Sequence, residues 1–304
     1  MKYIVLIALS ILSLSIGAFN IDWCNANDID IFFISRLPRL LSILIVGAGM
    51  AISGLIIQSL TQNKFSSPST VGTIECAAMG ILFTMVILPD VSVMYKMIIS
   101  LIFSIMGTII FLKLVEKIKT KDILFVPLLG IMFGKVITSI TLFFAYKYDL
   151  DQSLTSYLMG DFSVVLQGRY ELLYIGIPLV ILAFIYSTRF TIVSMGKEFS
   201  HNIGVEYDIV KYVGITIVGC ISAVTVVTVG MIPYIGLVVP NIVSLLYGDN
   251  IKKNLSTIGV YGCILVLLAD ILGRIIVYPF EIPVGTILGV IGSLSFFIFI
   301  LKEK

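Results

Sequence analysis

Long runs of apolar residues follow one another along this chain, and polar residues collect in the short stretches between them. Residues 40–59 and 97–115 are two such runs, each long enough for a hydrocarbon core that takes about 20 helical residues. A membrane β-barrel would alternate apolar and polar positions over shorter segments. The pattern therefore predicts an all-α, polytopic membrane protein. It places ten helices over residues 3–19, 40–60, 71–88, 95–115, 123–146, 171–188, 212–229, 234–247, 255–277 and 284–301. The eighth is short and contains Pro240. The first follows Lys2 and is expected to be a retained span rather than a cleaved signal peptide, because further apolar runs come after it.

Composition agrees. Only 12% of the 304 residues are charged, against about 25% in a soluble domain, and mean hydropathy is +1.10. Such a chain has too few polar groups to coat a globular surface. Its net charge of +2 excludes little. The four cysteines, Cys24, Cys76, Cys220 and Cys263, are scattered and form no close pair, so they are expected to be small buried apolar residues. A single histidine, His201, cannot build a multi-histidine metal site.

Lys and Arg in the loops set the orientation. With ten helices both termini share one side. That side holds Lys2, Lys64, Lys113, Lys117, Lys119, Lys121, Arg189, Lys197, Lys211, Lys252, Lys253, Lys302 and Lys304. Arg36, Arg39, Lys96, Lys147, Arg169 and Arg274 lie opposite. The first side is expected to be cytoplasmic. Asp22, Asp28, Asp30, Asp149 and Asp151 gather on the other. No linker, soluble domain or clear internal repeat interrupts residues 1–304, which are expected to form one transmembrane domain. Its longest cytoplasmic connection, at about 194–210, has Gly196 and Gly204 as breaks and is expected to hold two short helices joined by a turn.

Several residues invite chemistry. Arg36 and Arg39 in RLPR stand on the outer side just before the second helix, where Pro38 suits a helix start. They are either interfacial anchors or a grip for acidic groups of an external partner. NKFSSPSTVG (63–72) reads as an ordinary turn in which Ser69 or Thr70 caps the third helix. Glu75 follows as a solvated first-turn carboxylate, or less plausibly a proton relay. Lys135 sits mid-helix in LLGIMFGKVITS and should face a cavity or a partner, either on a path for anionic cargo or in a structural pair. The same stretch is not a phosphate loop, since three residues rather than four separate Gly130 from Gly134 and Val136 replaces the Ser or Thr. Asp270 and Arg274, four apart, either pair on one helix face or leave Arg274 at the outer mouth beside Arg36 and Arg39, where Glu281 caps the same turn and is a candidate to take part. Signatures of an intramembrane enzyme are missing. Gly47, Gly49, Gly54, Gly285, Gly289 and Gly292 fit close helix packing.

Together these segments resemble the FecCD-type permease family, the BtuC-like membrane subunits of type II ABC importers for iron–siderophores, haem and cobalamin. The resemblance covers essentially the whole chain. It is carried by RLPRLLSILIVGAGMAISGLIIQSLTQNKFSSPSTVG (36–72), YLMGDFSVVLQGRYELL (157–173), IPYIGLVVPNIVSLLYG (232–248) and LLADILGRIIVYPFEIPVG (267–285), in that order. It implies a bacterial inner-membrane permease paired with a second permease, either a copy or a related chain. It also implies two cytoplasmic ATPase subunits, which carry ATP and Mg, and an extracellular or periplasmic substrate-binding protein. This chain would then be no enzyme and hold no cofactor, and no nucleic-acid partner is expected. Arg36, Arg39 and Arg274 match the positions that dock the binding protein. Ser194, Met195, Gly196, Lys197, Glu198, His201, Asn202, Ile203, Gly204 and Val205 fall in the segment that couples to the ATPase. Lys135 departs from the family pattern, and with Glu75 it is a candidate pathway residue. Within the family the chain looks more like permeases for ferric siderophores, catecholates above all, than for cobalamin. A proton-coupled secondary transporter using Glu75, Lys135 and Asp270, or a membrane scaffold, would each lack an ATPase partner.

Overall fold

A backbone in lipid must satisfy its own amides, and the chain does so with helices. The computed structural model describes residues 2–16, 30, 32–117, 125–168 and 170–302, without the side chains of 298–302. Asp22, Cys24, Asp28, Lys119, Lys121, Arg169 and Lys304 lie outside the described residues. In chain order the helices are α1 (Lys2–Ser15), α2 (Leu37–Thr61), α3 (Thr73–Ile87), α4 (Val93–Lys117), α5 (Phe125–Lys147), α6 (Asp151–Tyr157), α7 (Gly176–Val193), α8 (Lys197–Asn202), α9 (Tyr207–Thr228), α10 (Ile235–Tyr247), α11 (Ile251–Ile275) and α12 (Val284–Lys302). A π-helical turn, Phe32–Arg36, leads into α2, and a 3-10 turn, Glu171–Ile175, leads into α7.

Among the described residues, six helical segments are long and apolar enough to cross a membrane, and four further apolar helices are shorter over those residues. Two of the short ones, α3 and α10, begin inside the bundle. Each follows an irregular segment, 62–72 or 229–234, that is largely buried in protein. Non-helical backbone survives at membrane depth only where protein or a water-filled cavity surrounds it. Segment 62–72 meets that condition with its own side chains. The Ser67 amide donates to Thr70 Oγ1 (2.8 Å), the Phe65 amide donates to Asn63 Oδ1 (2.8 Å), and Asn241 donates to the Lys64 carbonyl (2.9 Å). Ser69 and Thr70 therefore do not cap α3. The cap position is Gly72, at φ +83°, and it has no side-chain hydrogen bond.

Helix α2 is the axis of the fold. About 72% of its apolar window is buried, as is that of α9, whereas only about 22% is buried for α5 and for the 171–193 segment. Its 25 residues give it a length of about 37 Å. It packs against α11 at Gly47 and Gly262, where a Cβ on Gly262 would stand 2.2 Å from the Gly47 carbonyl oxygen. It packs against α10 at Gly54 and Gly236, where a Cβ on Gly54 would stand 1.9 Å from the Gly236 oxygen. Helices lack a hydrophobic drive to associate in lipid, so such backbone contact is how they gain dispersion energy. Cys76 and Cys263 are buried and, with Cys220, carry free thiols.

Gly54→Leu should therefore separate α2 from α10 and lower the melting temperature of the detergent-purified protein. Overpacking of this kind costs about 1–3 kcal/mol. Gly289→Ala, with open space around the new methyl, is the control and should not melt earlier. Heating followed by size-exclusion chromatography distinguishes the two; an unchanged Gly54→Leu profile would remove this contact from the core.

Candidate functional site

Polar chemistry concentrates at the two ends of α2 and in a cavity between them. At the end where α2 starts, the last carbonyls of α1 lack intrahelical donors. Two arginines supply them. Arg36 donates to Leu14 O (2.7 Å) and Ser15 O (3.4 Å), and Arg274 donates to Ser13 O (2.9 Å) and Ile16 O (2.8 Å). Cations at a helix C-terminus also complement its dipole.

Arg39 donates to Asp270 Oδ1 through Nε (3.0 Å) and Nη2 (2.7 Å). Arg274 Nη2 pairs with the other oxygen of the same carboxylate. Asp270 is 0% exposed, so its charge depends on this two-sided clamp. Glu281 Oε2 lies 2.8 Å from Arg39, so Glu281 takes part in the arginine cluster. The spacing of Asp270 and Arg274 predicted one pair, and the structure builds a four-residue network around it. The Arg39 and Arg274 side chains are only 12% and 7% exposed, and in this structure both guanidiniums face internal partners.

At the opposite end, residues 194–205 fold back beneath α2. Gly196, at φ +108°, turns the chain into α8. The buried Ser200 hydroxyl donates to Gly196 O (2.8 Å) and Ile192 O (3.3 Å), and the Val205 amide returns to Ser200 O (2.9 Å). Lys197 lies 3.5 Å from Asp208. Met195, Phe199 and Ile203, before, within and after α8, are 60%, 41% and 53% exposed. Glu198, His201 and Asn202 flank them in solvent, and Gly204, at φ +79°, closes the turn. Only one of the two expected short helices is separate. The second is the first turn of α9, which starts at Tyr207 with Asp208 favouring its N-terminus.

Beside this loop lies a cavity of about 250 Å³ lined by Gln58, Gln62, Lys64, Ser194, Ser244 and Asp249. Lys64 Nζ is 2.9 Å from Asp249. The Ser244 hydroxyl and Lys64 hold the Asp249 carboxyl below the usual carboxylate range.

Between the ends, a cavity of about 220 Å³ is walled by Ser69, Thr70, Glu75, Lys135, Tyr234 and Phe296. Lys135, near the middle of α5, is an exposed side chain on this wall. Glu75 is not the solvated carboxylate expected from its first-turn position. It packs on α5, where a Cβ on Gly134 would stand 3.3 Å from its Cδ, and its Oε2 is shut from solvent. No sequence signal joins positions 75 and 135, apart from the small residue at 134 that lets α3 approach.

The FecCD transport family model matches residues 5–302. The petrobactin import system permease protein YclN of Bacillus subtilis is 45% identical over 307 residues, covering 99% of this chain and 97% of that protein. The ferric-anguibactin transport system permease protein FatD of Vibrio anguillarum is 36% identical, covering 95% and 94%. Among solved structures, one described as an inward-facing conformation of a metal-chelate type ABC transporter superposes with a TM-score of 0.84 at 22% identity, covering 99% of this chain and 97% of that one. At that identity the likeness concerns the fold.

Removing the carboxylate charge tests the arginine network. Asp270→Asn leaves two buried guanidiniums against a neutral amide and should destabilise the protein by about 3 kcal/mol or more. Thermal unfolding in detergent reads this; a melting temperature equal to that of the unsubstituted protein would mean that the clamp contributes no stability.

Proposed function

The chain belongs to the FecCD transport family, and on that premise we propose that it is the membrane permease of an ABC importer for ferric siderophores, with catecholate chelates favoured. The whole-length similarity to two permeases named for siderophores carries this reading. In it the arginine end of α2 faces outward and the 194–205 end faces the cytoplasm with both termini. The lysine-rich loops support that orientation.

An external binding protein delivers the chelate to the outer end. Arg36, Arg39 and Arg274 form the docking face, Arg36 from the rim and the other two from within the Asp270 network. Acidic groups on the binding protein would compete for these guanidiniums, which ties docking to the seating of α1 and α11. At the inner end the segment carrying the exposed Met195, Phe199 and Ile203 is the surface offered to an ATPase partner. Exposed apolar side chains on a polar loop fit a protein interface. ATP binding and hydrolysis on the partners move this segment, and the bundle alternates access through its centre, paired with a second permease. No covalent chemistry falls to this chain.

Two measurements test the reading. Arg36→Glu should weaken binding-protein affinity about tenfold or more, because a like-charge contact replaces a charge-assisted one; unchanged affinity removes Arg36 from the docking face. Phe199→Ala should reduce co-purification of the ATPase subunits while the permease keeps its melting temperature; full retention of the ATPase would assign coupling elsewhere. For cargo, the assembled transporter in proteoliposomes should import iron-labelled catecholate chelates. Import of haem or cobalamin in their place overturns the assignment.

A further inference from the structure

The central cavity holds two groups whose chemistry is unfinished. Lys135 carries an ammonium in the middle of a spanning helix, and among the described residues no hydrogen bond or ion pair engages it. A charge at that depth persists where it faces a polar space or a partner. Glu75 Oε2, shut from solvent on the same wall, has no hydrogen-bond partner. The two do not neutralise each other, since among the described residues no salt bridge joins them.

The two aliphatic hydroxyls on the wall are occupied. Ser69 Oγ accepts the Tyr234 amide (3.3 Å) and bonds to Ser67 Oγ (3.0 Å), and Thr70 Oγ1 closes its own turn on Ser67. The cavity thus offers the Lys135 ammonium to an anionic oxygen and the Glu75 carboxyl group to a donor beside it. At about 220 Å³ it is below the usual size of a whole small-molecule site and takes one edge of a larger cargo.

We propose that Lys135 and Glu75 form a cargo-contact station selecting chelates that present an anionic oxygen next to an N–H donor such as an ammonium. Lys135 holds the oxygen, and Glu75 accepts the donor. This rests on the importer reading above and adds a specificity-determining pair to it.

The test uses the complete transporter, with its ATPase subunits and binding protein, in proteoliposomes. It compares initial uptake of two iron-labelled chelates that the binding protein accepts, one bearing ammonium groups beside its anionic oxygens and one lacking N–H donors. Lys135→Met should slow both about tenfold, and Lys135→Arg, which keeps the charge, should restore most of the rate. Glu75→Gln should slow the ammonium-bearing chelate about tenfold relative to the other, changing their ratio. Transporter content measured by size-exclusion chromatography normalises the rates. A parallel fall of both chelates in Glu75→Gln, or equal rates in Lys135→Met and the unsubstituted protein, overturns the station while leaving the importer reading standing. If the unsubstituted transporter imports neither chelate, the importer reading itself fails and the station falls with it.

Discussion

Where Gly54 meets Gly236 there is no room for a side chain between the two backbones, and much of the remaining structure depends on that contact. It brings α10 against the middle of α2 and lets it start inside the bundle. Pro68 of the irregular 62–72 segment packs against the same glycine, 3.1 Å from where a Cβ on Gly236 would stand. The Tyr234 amide then reaches Ser69, and the two irregular segments become walls of one cavity. Gly47 and Gly262 make the matching contact with α11, which sets Asp270 opposite Arg39. Packing of small residues in lipid thus determines where the polar groups come together.

Those polar groups follow one rule at three depths. A charge far from bulk water needs a partner or a purpose. Asp270 has two guanidiniums, and Lys211, only 10% exposed, pairs with Glu116 near the inner end. Lys135 and Glu75 are the exceptions, and they face the central space. The contrast separates the charges paired between helices from the two unpaired groups on the cavity wall.

Much of this was legible in the sequence. The apolar runs located the helices, and the RLPR and 267–285 segments located one end of the site. The i,i+4 spacing gave Asp270 with Arg274, because a helix turn brings such residues together. What the sequence hid was every contact made across large separations. Arg39 lies 231 residues from Asp270, and nothing local marks them as partners. NKFSSPSTVG looked like a surface turn because its Ser, Thr and Asn are turn formers; they serve instead to satisfy a buried backbone. The bounds of α3 and α10 were legible to within two residues, but hydropathy did not reveal that these helices begin inside protein.

The clamp on Asp270 also bears on how the chain is made. Arg36 and Arg39 enter the membrane early in synthesis, while Asp270 and Glu281 are among the last acidic residues to emerge. Until α11 inserts, Arg39 lacks the carboxylates that neutralise it and the end of α1 lacks the donors that Arg274 brings. The first two helices of the chain thus complete their polar contacts only when its last quarter is in place, and the ends of the sequence are tied together in the order of synthesis.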